Sequence, residues 1–510
     1  MILFCDFDGT LFRRNIDGDF EKNLEAVRRF RAAGHKFVMT TGRSPSSLAE
    51  VLPNYAELFD YTIGDNGSVC LGPEGINFEI TIPDDEQDEI TAFARSLPYG
   101  DQFDFVYDRG CHGHPDIDGG ATKIRIWTLN KEIMDATMVR LKEHFGEKYV
   151  ILGMSSAKPT LPFIHEGHSA AINFMAKEAG KERALVRIAE RLEEPLFAVG
   201  DGGNDLAMLQ MYDGYIMRTA RDELTAQFGE DRKIDSVSDL IDRLMVFEDI
   251  YKKIGVDLSR ERATVYTDGA TQSSVFSIHD KYLIKITSRM TVRTQSEFLQ
   301  KVQHPAFQKL LCYDVDLHYE CYEFIKGVHY KNAPLEAREA VLQIANIVES
   351  YPRYDCDGYG FLEDEKTSWR EFLLDEIEYA QERIPEVSQE RVLRALVVAG
   401  QYAPEKYLMH GDFGAHNFLT DNGQIRVIDP MPMVGDRLYD FYFAVLSNTK
   451  IFAELGLDYV LSFFEGYDVE YRKALITIAL YVRTSRAAVY DTANLDKYIE
   501  LYNSPFLALS

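Results

Sequence analysis

Residues 1–12 read MILFCDFDGTLF, and two carboxylates, Asp6 and Asp8, close an otherwise apolar run. A short apolar run bounded by turn residues is the pattern of a strand buried on both faces. The alternation continues: FEKNLEAVRRFRAAG (20–34) has helical spacing, and HKFVMTTG (35–42) reads as a second strand. Strand, helix, strand with short connections predicts a parallel α/β sheet, in which ligands gather at the carboxyl ends of the strands. Asp6 and Asp8 lie at such an end. So do the hydroxyls of Thr40 and Thr41 in KFVMTTGR, and so does Asp201 in PLFAVGDGGNDLAML (195–209), which is followed by two glycines, Asn204 and Asp205.

Composition narrows the class. The chain has 510 residues, 46% hydrophobic and 27% charged, which suits several globular domains and argues against disorder or a fibrous structure. No stretch reaches the ~20 uninterrupted apolar residues of a membrane span, and the apolar start lacks a basic n-region and a cleavage site, so it reads as a strand rather than a signal peptide. The expected location is the cytoplasm, with no membrane partner. Six cysteines without CxxC spacing are expected to be reduced and mostly buried. With 55 basic against 82 acidic residues the net charge is -27, which repels nucleic acid over long range and leaves room for cationic small substrates. The sequence gives no reading of oligomeric state.

An acid at one strand end is usually a helix cap or a solubilising group. Three strand ends carrying DFDGTL, TTGR and GDGGND together are more specific. They resemble the haloacid dehalogenase superfamily, in particular its Cof and sugar-phosphatase types, over about residues 1 to 245. That resemblance implies that Asp6 is the nucleophile taking the phosphoryl group, splitting one displacement into two. Asp8 is then the acid that protonates the leaving oxygen and later activates water. Asp6, the backbone carbonyl of Asp8, and Asp201 would hold Mg²⁺ with Asp205 in support, since hard oxygen ligands suit that ion. Thr41 would bond the phosphoryl oxygens. For the lysine that the family needs, Lys181 in AGKERALVRIAERL (179–192) is the first choice, although the usual glycine after it is Glu182 here; Lys177 and then His168 are the alternatives. The sheet core is placed at residues 1–82 and 170–245. The insert at 83–169, with strand-like TKIRIWTL and KYVILGM around the helix KEIMDATMVRLKEHFG, resembles a C2-type cap that closes over the sheet edge and selects a substrate. Within it DRGCHGHPDID (108–118) gathers Cys111, His112, His114, Asp116 and Asp118, but in no zinc spacing. It is read as a polar loop facing the substrate.

After residue 245 the chemistry changes. VYTDGATQSSVFSIHDKYLIKIT (265–287) reads as strand, turn, strand, turn, strand, and the turn bearing Gly269, Ser273 and Ser274 offers backbone N–H groups to phosphates. Lys285 in the apolar YLIKI is costly to bury unless it meets an anion; a snorkelling edge-strand lysine is the alternative. Downstream, YLMHGDFGAHNFLTDNGQIRVIDPMPMVGDRLYDFYF (407–443) sets Asp412, Asn417 and Asp429 around one hairpin. A base, an amide and a carboxylate so arranged suit phosphoryl transfer with Mg²⁺.

This stretch resembles the aminoglycoside phosphotransferase family, over about 260 to 510, with hygromycin and streptomycin phosphotransferases as the nearest types; GYGFLEDEKTSWREFL (358–373) resembles a segment they carry. The resemblance implies a bilobal, protein-kinase-like α+β domain, with an N-lobe at 246–330 and a C-lobe at 331–510. Asp412 would be the catalytic base, Asn417 and Asp429 metal ligands, and Lys285 the partner of ATP phosphates, with His410 ordering the loop. Glu323 and Phe324 in CYEFIKG would form the hinge that receives adenine. Glu297 is the available helix acid for Lys285, with Gln295 as the other register. Asp436 and Asp440 fit the trailing acids of the family. The combined expectation is a bifunctional enzyme: a Mg²⁺-dependent phosphatase for a small phosphate ester, joined to an ATP-dependent kinase for a small hydroxyl-bearing substrate. The alternatives are an antibiotic phosphotransferase with an accessory front half, and a front half that senses a metabolite without turning it over.

Overall fold

The computed structural model describes all residues except 74, 109–119, 156–163, 165–166, 191–193, 267–272, 508 and 510. The cap stretch from Cys111 to Asp118 and the turn residue Gly269 thus lie outside the described residues. Two compact units emerge, Met1–Met245 and Val246–Ser510.

In the first unit, strands β1 (Ile2–Asp6), β2 (Lys36–Thr40), β3 (Tyr61–Gly64), β4 (Val69–Gly72) and β5 (Gly75–Glu79) precede β6 (Asp104–Asp108), β7 (Lys123–Thr128), β8 (Tyr149–Ser155) and β9 (Ala170–Ala176). Strands β10 (Leu196–Gly200), β11 (Tyr215–Met217) and β12 (Lys233–Ile234) complete it. One eight-stranded sheet runs β12-β11-β10-β1-β2-β3-β4-β5. The strands from β12 to β3 pair in parallel, and β4 and β5 pair antiparallel. All five residues of β1 are buried because both faces are covered. The helix Asp19–Ala32 lays Leu24, Ala26, Val27 and Phe30 against Leu3, Cys5, Phe37 and Met39. On the other face Ile2, Phe4 and Val38 meet Ala184, Leu185 and Ile188 of the helix Lys181–Ala189.

Strands β6 to β9 form a separate antiparallel sheet, ordered β6-β7-β9-β8. Ile90 and Ala94 of the helix Asp84–Ser96, and Met134, Leu141 and Phe145 of the helix Lys131–Phe145, cover one face of it. The chain between β5 and β10 thus forms a separate sheet with two helices, and β9 belongs to it because it pairs with β7 and β8, so residues 170–176, expected in the core, lie in the insert.

The second unit opens with β13 (Ala263–Tyr266), β14 (Ser274–Ile278), β15 (Tyr282–Ile286), β16 (Leu310–Asp314) and β17 (Tyr319–Glu323), an antiparallel sheet ordered β13-β14-β15-β17-β16. Strands β18 (Val328–His329), β19 (Tyr359–Phe361), β20 (Asp364–Lys366), β21 (Tyr407–Met409), β22 (Phe418–Asp421), β23 (Gln424–Val427) and β24 (Met433–Gly435) form two small sheets, β18-β22-β23 and β20-β19-β24-β21. A largely helical core surrounds the latter, dominated by the helices Arg437–Leu446 and Val469–Tyr490. The architecture is thus a mainly parallel α/β sheet followed by an α+β unit, as expected. Cys5, Cys70, Cys312 and Cys321 are buried thiols and Cys356 is a half-buried one. No helix among the described residues is long and apolar enough to cross a membrane.

Phe30 is fully buried between helix and sheet. Phe30→Ala is expected to lower the unfolding free energy by about 3–5 kcal/mol, read as an earlier midpoint in denaturant unfolding.

Candidate functional sites

In the first unit the carboxyl ends of β1 and β10 bring the acids together. Asp6 is the last residue of β1, and Asp201 follows Gly200 at the end of β10. The chain leaves β1 through Gly9, whose φ of 92° is left-handed. A Cβ there would lie 2.2 Å from Asp201 Oδ2, so only glycine permits this approach of the two strand ends. Thr10 Oγ1 donates to Asp201 Oδ1 at 3.3 Å. Asp205 turns back, its Oδ2 accepting from the backbone N–H groups of Asp201 (3.2 Å) and Gly202 (2.9 Å).

Lys181 settles in the middle. Its side chain is 1% exposed, and its ammonium donates to Asp6 Oδ1 and, at 2.6 Å, to Asp205 Oδ1. The two other cations considered are elsewhere: Lys177 Nζ donates to the Glu147 carbonyl (2.6 Å), and His168 Nε2 meets the Gln102 carbonyl (2.8 Å). Lys181 opens its helix directly after Gly180, against which the loop Asp65–Gly67 packs; a Cβ on Gly67 would lie 2.3 Å from the Gly180 carbonyl oxygen. That loop matters twice, because buried Asp65 also receives Thr122 Oγ1 (2.7 Å), just before β7, and the ammonium of Lys123 (2.5 Å), the first residue of β7.

One ammonium among three close carboxylates leaves this cluster electron-rich. Asp6, Asp201 and Asp205 each place an oxygen within 4.8 Å of the others. Burial, and then the charge of Asp205, push Asp6 well above the usual carboxylate range against the pull of Lys181. Asp201 is raised by the same two causes. A set of hard oxygen donors short of positive charge fits a small divalent cation such as Mg²⁺.

Asp8 stands apart from that cluster. Its side chain is 44% exposed and accepts two 2.6 Å bonds from Arg43, one to each oxygen. Arg43 was passed over in the sequence, although it completes TTGR. Thr41 is buried beside it, with its Oγ1 accepting from the Arg43 N–H (3.1 Å).

In the second unit β21 delivers His410, Gly411 and Asp412. Asp412 accepts from Arg486 Nη1 (2.6 Å), His416 Nε2 (2.9 Å) and Asn417 Nδ2 (3.1 Å). Although burial raises it, these donors hold its carboxyl well below the usual range. Arg486 lies 74 residues downstream on the helix Val469–Tyr490, and no local pattern pointed to it. His410 is fully buried and pushed down to about 4 by that burial; its neutral ring bonds the Ile428 carbonyl at 3.1 Å, one residue before Asp429.

Lys285 on β15 donates to Asp429 Oδ1, and to Gln295 Oε1 at 3.1 Å. The expectation for Glu297 is corrected here. Two helical steps of ~100° turn residue 297 to the opposite side of the helix Arg289–Lys301, where Glu297 accepts from the Tyr354 hydroxyl (2.7 Å) and Lys301 (3.1 Å). A second acid does face the lysine region: Glu320, paired with Lys285 across β15 and β17, is buried and pushed up to about 8 by that burial. Ser273 Oγ donates to Thr287 Oγ1 (2.8 Å), and Ser274 begins β14 opposite Ile286. Glu323 ends β17 facing Lys309 at 3.7 Å, and the Phe324 N–H donates to the Lys281 carbonyl (2.9 Å). Neither side chain lines the cavity of about 590 Å³ that holds Lys285, Asp412, Asp429 and Ser273.

The trailing acids brace this loop. Asp436 caps the helix Arg437–Leu446 through the Leu438 N–H (2.9 Å) and accepts from the Tyr471 hydroxyl (2.7 Å). Asp440 accepts from the Tyr351 hydroxyl (2.9 Å) and from the Gly411 N–H (3.2 Å). Gly411 has a φ of 81°, and a Cβ there would lie 1.9 Å from the Met431 carbonyl oxygen.

Gly411→Ala should cost at least about 1–2 kcal/mol from its left-handed backbone alone, visible as a melting-temperature drop of at least about 2–4 °C. Burial pushes Asp440 up to about 7 and Asp436 up to about 6. Each holds its proton more tightly folded than unfolded, so its contribution to stability is complete below about pH 4 and is lost as pH rises through the folded value. Asp440→Asn should therefore flatten the decline in denaturant midpoint between pH 5 and 8.

Comparison with known proteins gives two family matches. Residues 3–229 match the model of the haloacid dehalogenase-like hydrolases, and residues 297–475 that of the phosphotransferase enzyme family. Similar solved structures include a haloacid dehalogenase-like hydrolase from B. subtilis, with 19% identity over 48% of this chain and 99% of that one and a TM-score of 0.36. The phosphatase BT1666 from Bacteroides thetaiotaomicron shares 20% identity over 48% of this chain and 94% of its own, with a TM-score of 0.37. The subclass IIB sugar phosphatase BT4131 shares 18% over 48% and 98%, with a TM-score of 0.36. No curated protein matches the chain. Residues 3–229 are thus similar to the haloacid dehalogenase-like hydrolases and residues 297–475 to the phosphotransferase enzyme family, both of them families of enzymes.

Proposed function

We propose that the chain is a bifunctional phosphoryl-handling enzyme: residues 1–82 and 177–245 form a Mg²⁺-dependent phosphatase core with a cap at 83–176, and residues 246–330 and 331–510 form the two lobes of an ATP-dependent small-molecule kinase. The observation that carries this reading is shared by both units. In each, a buried lysine meets an aspartate (Lys181 on Asp6, Lys285 on Asp429) with a further aspartate close by: Asp8, two residues beyond Asp6, and Asp412, which lines the same cavity as Lys285 and Asp429.

In the phosphatase, an oxygen of Asp6 attacks the phosphorus of a small phosphate ester, and the bond to the leaving oxygen breaks as Asp8 hands it a proton. Asp8 then takes a proton from water, which attacks the aspartyl phosphate and frees Asp6 and inorganic phosphate. Lys181 keeps its charge throughout and offsets the negative charge gathered on Asp6 and the phosphoryl group. Thr41 bonds the phosphoryl oxygens. Arg43 holds Asp8 in place until a substrate enters. A Mg²⁺ held by Asp6, Asp201 and Asp205, with the Asp8 carbonyl, would supply the charge neutralisation that one lysine leaves incomplete.

In the kinase, Asp412 accepts a hydrogen bond from the substrate hydroxyl and aligns its oxygen with the terminal phosphorus of ATP. Lys285 holds phosphate oxygens, Asn417 and Asp429 would hold the metal, and Ser273 and Ser274 at the start of β14 would bond the phosphates. Retention of both Asp6 and Asp412 counts against a non-catalytic sensor.

Asp6→Asn is expected to reduce phosphate release from sugar and polyol phosphates to background while ATP consumption continues. Asp412→Asn should lower ATP-dependent phosphorylation by about 10²–10⁴-fold, the range of a positioned acid–base group, and leave phosphate release intact. Full activity in either variant, assayed on the intact chain, would remove that assignment.

A further inference from the structure

Asp412 borders a second cavity, of about 580 Å³, on the side away from Lys285. Its wall reverses the charge balance of the chain. Overall there are 82 acidic residues to 55 basic, yet this cavity is lined by Lys331, Lys450, Arg483 and Arg486 against only Asp412 and Asp491. His329 and His416 line it as well.

The cations are set in place rather than scattered. Arg483 is 8% exposed, its guanidinium lies 5.1 Å from the Phe443 ring centre, and its Nε meets no acceptor among the described residues. Arg486 stacks on the same ring at 4.8 Å. Lys331 meets no carboxylate within 4.0 Å among the described residues, and Lys450 reaches only Glu454, at 3.6 Å. Such a wall attracts a carboxylate or phosphate and repels a polycation, since like charges brought together at an interface cost several kcal/mol. At the rim Tyr490, 80% exposed, offers an aromatic face.

Building on the kinase reading above, we infer that the acceptor is a small hydroxyl compound bearing its own anionic group, a carboxylate or a phosphate ester, held by Lys331, Lys450 and Arg483 with its hydroxyl turned to Asp412. The hydroxyl oxygen bonds to the terminal phosphorus of ATP. The bond from that phosphorus to the bridging oxygen breaks, ADP leaves with the electron pair, and the hydroxyl proton passes by Asp412 to solvent. An aminoglycoside, which presents several ammonium groups, does not suit this wall.

The test follows ADP release by the intact protein with Mg²⁺ and ATP, using matched acceptors: glucose, gluconate, glucose 6-phosphate and glucosamine; glycerol, glycerate and glycerol 3-phosphate; and kanamycin. At least one anionic member should exceed its neutral partner by about ten-fold or more in kcat/KM, and the arm that responds separates carboxylate from phosphate. In a Lys331→Glu, Lys450→Glu variant, altered at two exposed positions, KM for that compound should rise by about ten-fold or more and the gap to the neutral partner should close. Preference for a neutral or cationic member overturns the inference. If ATP is hydrolysed slowly by water and no acceptor accelerates it, anionic members should still shift that slow rate in the native chain and not in the variant. Indifference to every anion overturns the inference and leaves the kinase reading standing. Absence of any ATP turnover overturns the kinase reading, and this inference with it.

Discussion

The Lys181 ammonium, with its side chain 1% exposed between Asp6 and Asp205, is the interaction on which the first unit turns. Two carboxylates buried without it would each carry the cost of an unpaired charge, and removing one partner of such a buried pair typically costs 3–5 kcal/mol. Its position depends on backbone choices made far apart in the chain. Gly180 and Gly67 must touch for the helix to start where it does, and Gly9 must turn left-handed for Asp201 to reach the same point. The parallel sheet supplies the rest by ending β1 and β10 side by side, through pairs such as Cys5 with Val199.

The second unit meets the same electrostatic problem with different materials. Lys285 has a carboxylate in Asp429 and an amide, not an acid, in Gln295. The neutral partner orients the ammonium without cancelling it. Glu320, the other acid on the neighbouring strand, is pushed up to about 8 by burial and so stays largely protonated at neutral pH. Asp429 is then the one carboxylate bonded to Lys285 among the described residues.

How much of this was legible depended on how local each signal was. Strand ends such as VGDGGND and the hairpin from His410 to Asp429 announce themselves because apolar runs, turn glycines and acids stand within a few residues of one another. Gln295 against Glu297 was a question of helix phase, which sequence leaves open until the packing of one face is known. Arg486 came from 74 residues away and Lys123 from 58 residues beyond Asp65, distances over which a single sequence carries no pairing signal. Net charge pointed the wrong way for the cavity beside Asp412, because a total of -27 says nothing about how a few lysines and arginines are grouped.

Lys123 has a consequence for how the antiparallel sheet of the insert relates to the parallel one. It is fully buried, bonded to Asp65 and to the Gly42 carbonyl (3.0 Å), and 3.1 Å from Asp108. Greasy surfaces resist separation in proportion to their area, whereas a buried ion pair regains its hydration once water enters, so much of what is lost on parting is returned. Any hinge motion here would behave as an ionic latch, rigid while shut and lightly opposed once wetted, and dissolved salt would barely weaken it while it stays shut.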